Sequence, residues 1–497
     1  MSAVTLADVA QLVGDAQRRG DARLSSICHD SRHVMPGALF CALRGRRSDG
    51  HEHAAAAVKA GAVALLVDHF LDIAVPQLQV PSVRRALGVA SAAIWGWPSR
   101  RLRMAGVTGT DGKTTTAYLL EACLSAQGRR TGLLGTVETK MGREHLPSVA
   151  TTPEAPDLHA ALARMVGRRV EDVVMEVSSH ALDQGRVDGI EFEVGVFTNL
   201  TAEHLDYHGT IEQYFATKSR LFEPGRCAHA VIGVDDEWGR RLAAQARIPV
   251  TTFGTNPAAD VVMESVSTGR HGTRVRIRGG SHAKELQVPY PGQVNAANAV
   301  AAHTAARVLG VGPRVAAAAL AAAPPIRGRF QVVDPGHPVS VVVDYAHTPR
   351  ALGNLIQTGK QLAGKGRVIV VTGVAGERDR WKRPALGREA ARADLTIFTD
   401  ETPGHEDPAA IVAQLSAGTL GVDHAKVEVE LDRARAIELA ITRALPGDMV
   451  LVAGRGHERS FHRGDDTVAL DDTSVAREAL RKWHRSRRGQ ALAALLA

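Results

Sequence analysis

Short apolar runs that stop at a glycine, a carboxylate or a histidine recur along the chain. They are Met104-Ala105-Gly106-Val107, Val173-Val174-Met175 before Glu176, Ala230-Val231-Ile232, Val368 to Val371, Leu395 to Phe398 and Met449 to Ala453. Between them lie stretches with apolar residues on one helical face, as at Leu120, Cys123 and Leu124. A short unbroken apolar run suits a strand covered on both faces, and its alternation with helices predicts a mostly parallel sheet with helices on each side. Two such series are legible, one from Ser99 to about Arg329 and one beginning near Val339, preceded by a shorter mixed segment that ends at Trp97-Pro98. The expected fold is α/β with three domains, over 1–98, 99–330 and 331–497. In open parallel sheets ligands bind beyond the carboxyl ends of strands, so the polar residues that end these runs are where chemistry is expected.

A chain of 497 residues exceeds one hydrophobic core, in keeping with roughly three domains. Sixty Lys and Arg against 53 Asp and Glu give a formal charge of +7, a mildly basic surface suited to anionic ligands. The basic residues are scattered and aromatics make up only 4%, so stacking platforms for nucleic acid are few and no nucleic-acid partner is expected. The basic run from Arg481 to Arg488 reads as a solvated helix end. Cys28, Cys41, Cys123 and Cys227 form no CxxC pair, which indicates neither zinc nor a disulfide framework and points to a reducing compartment. The start of the chain lacks a signal-peptide pattern, and no apolar stretch approaches the ~20 residues of a membrane span. The alanine-rich Val315 to Ala323 reads as a buried helix. A cytoplasmic protein acting as a monomer is expected.

The densest chemistry begins at Gly109-Thr110-Asp111-Gly112-Lys113-Thr114-Thr115, a glycine-rich turn between a strand and a helix. Backbone N–H groups of such a loop face phosphate oxygens, the lysine reaches the β- and γ-phosphates, and the first threonine hydroxyl suits Mg²⁺. Val107 stands where the usual first glycine of the pattern would fall, so an ordinary turn before a helix is the competing reading. Glu176 with Ser178 and Ser179 ends an apolar strand in the same half of the chain, either as a metal ligand beside the nucleotide or as a satisfied strand terminus. The segment Phe197 to Gly209 gathers Glu203, His204, Asp206 and His208, a density that suits metal or phosphate contacts, although each histidine alone reads as structural. Lys218 lies among aromatic and aliphatic anchors, held near a site or snorkelling to solvent.

Taken in order, Gly-Thr-Asp-Gly-Lys-Thr-Thr, Met-Glu-Val-Ser-Ser-His, the Thr-Asn-Leu to His-Leu-Asp-Tyr-His-Gly-Thr run, Asn295-Ala-Ala-Asn298, Asp344-Tyr-Ala-His-Thr-Pro349 and Gly454-Arg-Gly-His-Glu458 resemble the Mur ligase family. The resemblance extends from Asp30-Ser31-Arg32 to Asp471-Asp472 and is to the type that adds a third amino acid to UDP-N-acetylmuramoyl-L-alanyl-D-glutamate, a step of peptidoglycan precursor synthesis. It implies an N-terminal UDP-binding domain, a central P-loop ATPase domain and a Rossmann-like C-terminal domain that binds the amino acid. It also implies an acyl-phosphate mechanism that uses ATP and Mg²⁺. By position Lys113, Glu176, His204 and Lys218 would be the catalytic group, with metal held by Thr114, Glu176, His204 and a Lys218 carbamylated by CO₂. Asn295 and Asn298 match the adenine segment, and Arg329 and Asp344 match residues near ribose and phosphate. Ser31 would face the uridine diphosphate, while Thr151, Thr152, Ser178, Gln184 and Arg186 match the muramoyl-peptide contacts. Arg378 would bind the α-carboxylate of the incoming amino acid.

Departures from the family pattern bear on the amine. Enzymes of this type that use meso-diaminopimelate carry Asp-Asn-Pro-Arg, whose Asn and Arg hold the distal carboxylate, whereas this chain reads Glu401-Thr402-Pro403-Gly404 after Asp400. Gly454 and Glu458, which match contacts to the distal ammonium, are kept. A carboxylate left unpaired in that pocket would cost on the order of 3 kcal/mol, about a hundredfold in discrimination. The expected amine is L-lysine or L-ornithine, ahead of meso-diaminopimelate. Asp111, Ala150 and Glu203 replace the family's usual Asn, Asn and Asp. Two alternatives stand: another amide ligase of the superfamily, and a nucleotide-binding scaffold that has lost catalysis.

Overall fold

The computed structural model describes residues 4–45, 48–279, 284–423 and 425–486. Three sheets organise the chain, each with strands arranged as the apolar runs predict. The first sheet is built from Gln17–Arg19, Gln77–Gln79, Ala62–Val67, Ala38–Cys41 and Ser26–Cys28, in that spatial order, and only its edge pair is antiparallel.

The central sheet has eleven strands. Its parallel heart sets Asp172–Glu176 and Phe192–Phe197 on either side of Arg103–Thr108, so the phosphate loop leaves the middle of the sheet with Glu176 ending the neighbouring strand. These strands are buried on both faces, as expected of parallel sheet covered by helices. At its edges the sheet turns antiparallel, through the hairpin Glu138–Met141 with Glu144–Pro147 and through Val261–Gly269, Gly272–Arg278 and Glu285–Val288. Gly272–Arg278 alternates buried and exposed residues, the period of a strand with one wet face.

The third sheet orders Gln331–Val333, Ser340–Val343, Met449–Val452, Val368–Thr372, Leu395–Phe398 and Val427–Val429, all parallel except the first pair. The helix Lys113–Ser125 is buried almost all round because Gln293–Val308 packs along it, so the one-sided pattern at Leu120, Cys123 and Leu124 understates its burial. The alanine-rich helix differs from expectation. Pro313–Ala321 buries Ala316 and Leu320 but leaves Val315 40% exposed, so it lies on the surface with one face in the core. Asp472–Arg485 is an amphipathic helix with Trp483 inward and Arg481, Lys482 and Arg485 in solvent, as the basic run suggests, and Arg487 and Arg488 lie outside the described residues. No helix among the described residues is long and apolar enough to cross a membrane.

Candidate active site

The turn that links Arg103–Thr108 to the helix Lys113–Ser125 requires glycine at two points. Gly109 has φ +142° and Gly112 φ +85°, and a Cβ on Gly112 would stand 2.3 Å from Oδ1 of Asn298. The loop therefore packs directly against the Asn295-to-Asn298 segment. Asn298 donates to Asn295 Oδ1 at 3.3 Å and accepts from Thr116 at 3.3 Å, and Asn295 donates to the Pro291 carbonyl. The helix N-terminus behind the loop adds oriented N–H groups and a partial positive charge, a setting for anions.

Around this loop the expected cations and carboxylates converge. Lys113 Nζ donates to the carbonyls of Gly109 (3.0 Å) and Thr110 (2.8 Å), and Lys218 Nζ donates to the same Gly109 carbonyl at 2.8 Å. Lys218 does not snorkel; it is 1% exposed, at the end of the helix Ile211–Ser219 that Thr210 caps. Burial and the nearby Lys113 charge push its amine well below the usual lysine range. Thr114 Oγ1 donates to Glu176 Oε2 at 2.9 Å, and Glu176 also accepts from the Thr136 N–H (2.7 Å) and hydroxyl (3.0 Å). Thr115 is buried in the first helical turn. Arg329 Nη2 reaches Thr114 Oγ1 at 2.9 Å and its guanidinium covers the Tyr345 ring at 4.5 Å. Asp344 accepts from the Phe330 and Ala346 N–H groups, which holds the crossing from the central to the C-terminal sheet.

His204 sits at φ +56° with its N–H on Asp379 Oδ2 at 3.1 Å. Glu203, His204 and Asp379 place their ligand atoms within 4.8 Å of one another, so a possible metal set is completed from the C-terminal domain. Burial first, then His180 and the lysines, drive the His204 imidazole far below its ordinary range, leaving it neutral and able to ligate. Lys382, buried, donates to Glu203 Oε1 at 2.7 Å across the same boundary. Asp111, the second departure, accepts from Thr348 at 3.4 Å. Both substituted acids thus face the C-terminal domain and find partners there.

The muramoyl-peptide candidates form a second cluster. Thr152 Oγ1 bridges the Glu176 carbonyl (2.8 Å) and the Ser178 N–H (3.1 Å), and Thr151 Oγ1 meets Thr136 Oγ1 at 3.1 Å. Arg186 donates to Gln184 Oε1 and the Thr152 carbonyl and pairs with Glu154 at 3.1 Å. Ser31 lies apart, in a 3-10 turn of the first domain capped by Asp30, and no hydrogen bond among the described residues joins it to this cluster.

At the far side, Glu401 lies against Gly454, whose Cβ would fall 2.2 Å from Glu401 Oε2; that oxygen is buried and has no hydrogen-bond partner. Gly454, at φ +108°, is what makes room for it. Burial raises the Glu401 carboxyl to about 7, and burial likewise raises Glu458, which Tyr345 bonds. Arg378 is exposed beside this pocket. The Thr402 carbonyl accepts from the Gly376 N–H at 2.9 Å. A Cβ on Gly404 would meet the Glu377 carboxyl carbon at 2.9 Å, so a carboxylate occupies the direction a side chain at 404 would take. Thr136, Lys382, Asp379 and Glu401 are candidate site residues that the sequence reading did not single out. Glu401 alone had a signal, its place within the altered motif.

Three family models cover most of the chain: the Mur ligase family catalytic domain over 23–95, the Mur ligase middle domain over 107–306 and the Mur ligase glutamate ligase domain over 328–456. A Streptomyces avermitilis protein named UDP-N-acetylmuramoyl-L-alanyl-D-glutamate–2,6-diaminopimelate ligase is 42% identical over 494 residues, 97% of each chain. A Roseiflexus sp. protein named UDP-N-acetylmuramyl-tripeptide synthetase is 43% identical over 481 residues, covering 92% of this chain and 94% of its own. A solved structure titled as a UDP-N-acetylmuramoyl-L-alanyl-D-glutamate–2,6-diaminopimelate ligase superposes with a TM-score of 0.67 at 29% identity, over 97% of this chain and all of the other. The chain belongs to the Mur ligase family, as one of its ATP-dependent acid–amino-acid ligases.

Proposed function

We propose that this ligase transfers the γ-phosphoryl group of ATP to the γ-carboxylate of the D-glutamate in UDP-N-acetylmuramoyl-L-alanyl-D-glutamate. The α-amine of a diamino acid then attacks the acyl phosphate, and the amide forms as inorganic phosphate and a proton leave. The observation that carries this reading is the meeting of Lys113, Thr114, Glu176 and Lys218 around one strand end, linked through Arg329 and Tyr345 to the buried acid Glu401 and the partly exposed Glu458.

Lys113 would neutralise charge on the transferring phosphoryl group. The Thr114 hydroxyl and Glu176 carboxylate are the oxygen donors that a hard cation prefers, and neutral His204 with Asp379 offers a second set. Mg²⁺ bound there supplies charge neutralisation and template for the phosphates. A buried amine with a depressed pKa keeps the free lone pair that attacks CO₂, which supports carbamylation at Lys218. Thr152, Ser178, Gln184 and Arg186 would hold the peptide, Ser31 the uridine diphosphate, and Asn295 and Asn298 the adenine.

For the amine we put L-lysine or L-ornithine first, although several relatives are named for 2,6-diaminopimelate. Gly404 brings no guanidinium, Glu377 fills that direction with a carboxylate, and Glu401 adds a second acid to Glu458 for a bare ammonium. The test is incubation with ATP, Mg²⁺ and the UDP-dipeptide, with lysine, ornithine and meso-diaminopimelate offered separately, following phosphate release and product mass. Product with lysine or ornithine is expected; product with diaminopimelate alone would reverse the order, and silence with all three would remove the acceptor assignment.

A further inference from the structure

We propose that His51, Asp68 and His69, in the first domain and remote from the ligase chemistry, bind one divalent transition-metal ion of the zinc class. The three side chains come from two segments that the parallel pairing of Ala38–Cys41 with Ala62–Val67 brings together: the loop after the first strand and the residues directly after the second. Asp49 caps the 3-10 turn Gly50–His53 and accepts from the His51 backbone N–H at 3.0 Å. The same Asp49 oxygen lies 2.6 Å from His51 Nδ1, so a carboxylate holds the imidazole on its rear nitrogen, while Nε2 faces Asp68 and accepts its backbone N–H at 3.3 Å. A carboxylate behind a histidine whose other nitrogen is left as an acceptor is how metal-binding imidazoles are oriented and made more basic, and an ion here would take that lone pair from the Asp68 N–H.

Nε2 of His51 stands 3.2 Å from Asp68 Oδ1, and Nδ1 of His69 stands 2.5 Å from the same oxygen. One donor atom from each residue lies within 4.8 Å of the others. Ligands held at about 2.0 to 2.2 Å around a tetrahedral ion are separated by about 3.3 Å, close to the His51–Asp68 spacing. The His51 and His69 rings are stacked at 4.7 Å, and His69 is half-exposed, so to share an ion with buried His51 its ring would have to turn out of the stack and release its hydrogen bond to Asp68. Arg44 holds Asp68 through Nε at 2.8 Å on Oδ2 and Nη2 at 3.2 Å on Oδ1, which fixes the carboxylate plane.

Two imidazoles and one carboxylate with a fourth position open to water suit Zn²⁺ and Co²⁺; Mg²⁺ prefers all-oxygen, octahedral surroundings. The ion would clip the loop carrying Asp49 and His51 to the end of Ala62–Val67. The Asp68 backbone N–H is the rival occupant of His51 Nε2, and a titration distinguishes the two.

The test is direct titration of the chelator-treated full chain with Zn²⁺ or Co²⁺ in excess Mg²⁺. One tight site per chain is expected, with the intense visible absorption of four-coordinate Co²⁺ and a rise in Tm on binding. His69→Ala, at a half-exposed position that leaves folding intact, and Asp68→Asn should each weaken that site about a hundredfold or more. His204→Ala should leave it unchanged, which separates it from the Glu203, His204 and Asp379 group. Binding no tighter in the parent than in His69→Ala, or binding lost in His204→Ala and kept in His69→Ala, overturns the proposal.

Discussion

Replacing Glu401 with glutamine should weaken the use of the amine about a hundredfold while making the free protein more stable. Glu401 is fully enclosed, one of its oxygens lacks a partner, and burial lifts its carboxyl from 4.5 to about 7. An acid whose folded pKa is raised keeps its proton in the native state at pH values where the unfolded chain has lost it. Stability therefore falls as pH rises from about 4.5 to about 7 and is flat above. A rise of this size corresponds to about 3 kcal/mol of stability given up at pH 8, so Glu401→Gln should recover a large part of it as a higher Tm at pH 8 and little at pH 4. Function runs the opposite way, because an ammonium in the pocket supplies the missing partner. Loss of that charge-assisted bond should cost about 3 kcal/mol, on the order of a hundredfold in kcat/KM for the amine, with KM for ATP unmoved. In the parent, kcat/KM for the amine should fall about tenfold per pH unit below about 7, and this limb should vanish in the variant. A variant with unchanged amine kinetics, or one whose KM for ATP rises in step, would refute the assignment of Glu401 to the amine.

Lysine or ornithine should exceed meso-diaminopimelate by about a hundredfold in kcat/KM, read from competition between the amines by product mass. Gly454→Ala should mimic Glu401→Gln kinetically, since the added methyl would displace the Glu401 carboxylate and strain a backbone at φ +108°; unchanged amine KM would contradict the packing. Lys218 should take up label from isotopically labelled bicarbonate, and Lys218→Ala should lose amide formation while still binding nucleotide. Asp472 is fully buried and pairs with Arg433 at 2.7 Å and Arg455 at 3.5 Å, so Asp472→Ala should destabilise the C-terminal domain by about 3 to 5 kcal/mol in urea unfolding.

What could be read from the sequence is what local chemistry fixes. The phosphate loop declares itself because Gly109 and Gly112 stand where the backbone needs positive φ, and Glu176 declares itself because a carboxylate at the end of an unbroken apolar strand has no packing role. The central strands are visible because both of their faces are buried. The helix Pro313–Ala321 misled because alanine is neutral between core and surface, so its composition conceals the wet face on which Val315 lies. The harder residues depend on contacts made across long separations. Lys382 meets Glu203 over 179 positions, and neither the basic run around Lys382 nor the acid at 203 names the other. Read along the chain, Asp111 only adds negative charge near a triphosphate and Glu203 only lengthens an acid; in the fold each faces the C-terminal domain, where Thr348 and Lys382 receive it. These two departures from the family pattern are therefore contacts between domains; the same boundary supplies Asp379 beside His204, and Arg329, where the chain crosses to the C-terminal sheet, lies beside Thr114. The groups proposed to meet phosphate and those proposed to meet the amine face each other across the contact between the central and C-terminal domains. That boundary is thus part of the proposed site, and no stretch of sequence, taken by itself, contains it.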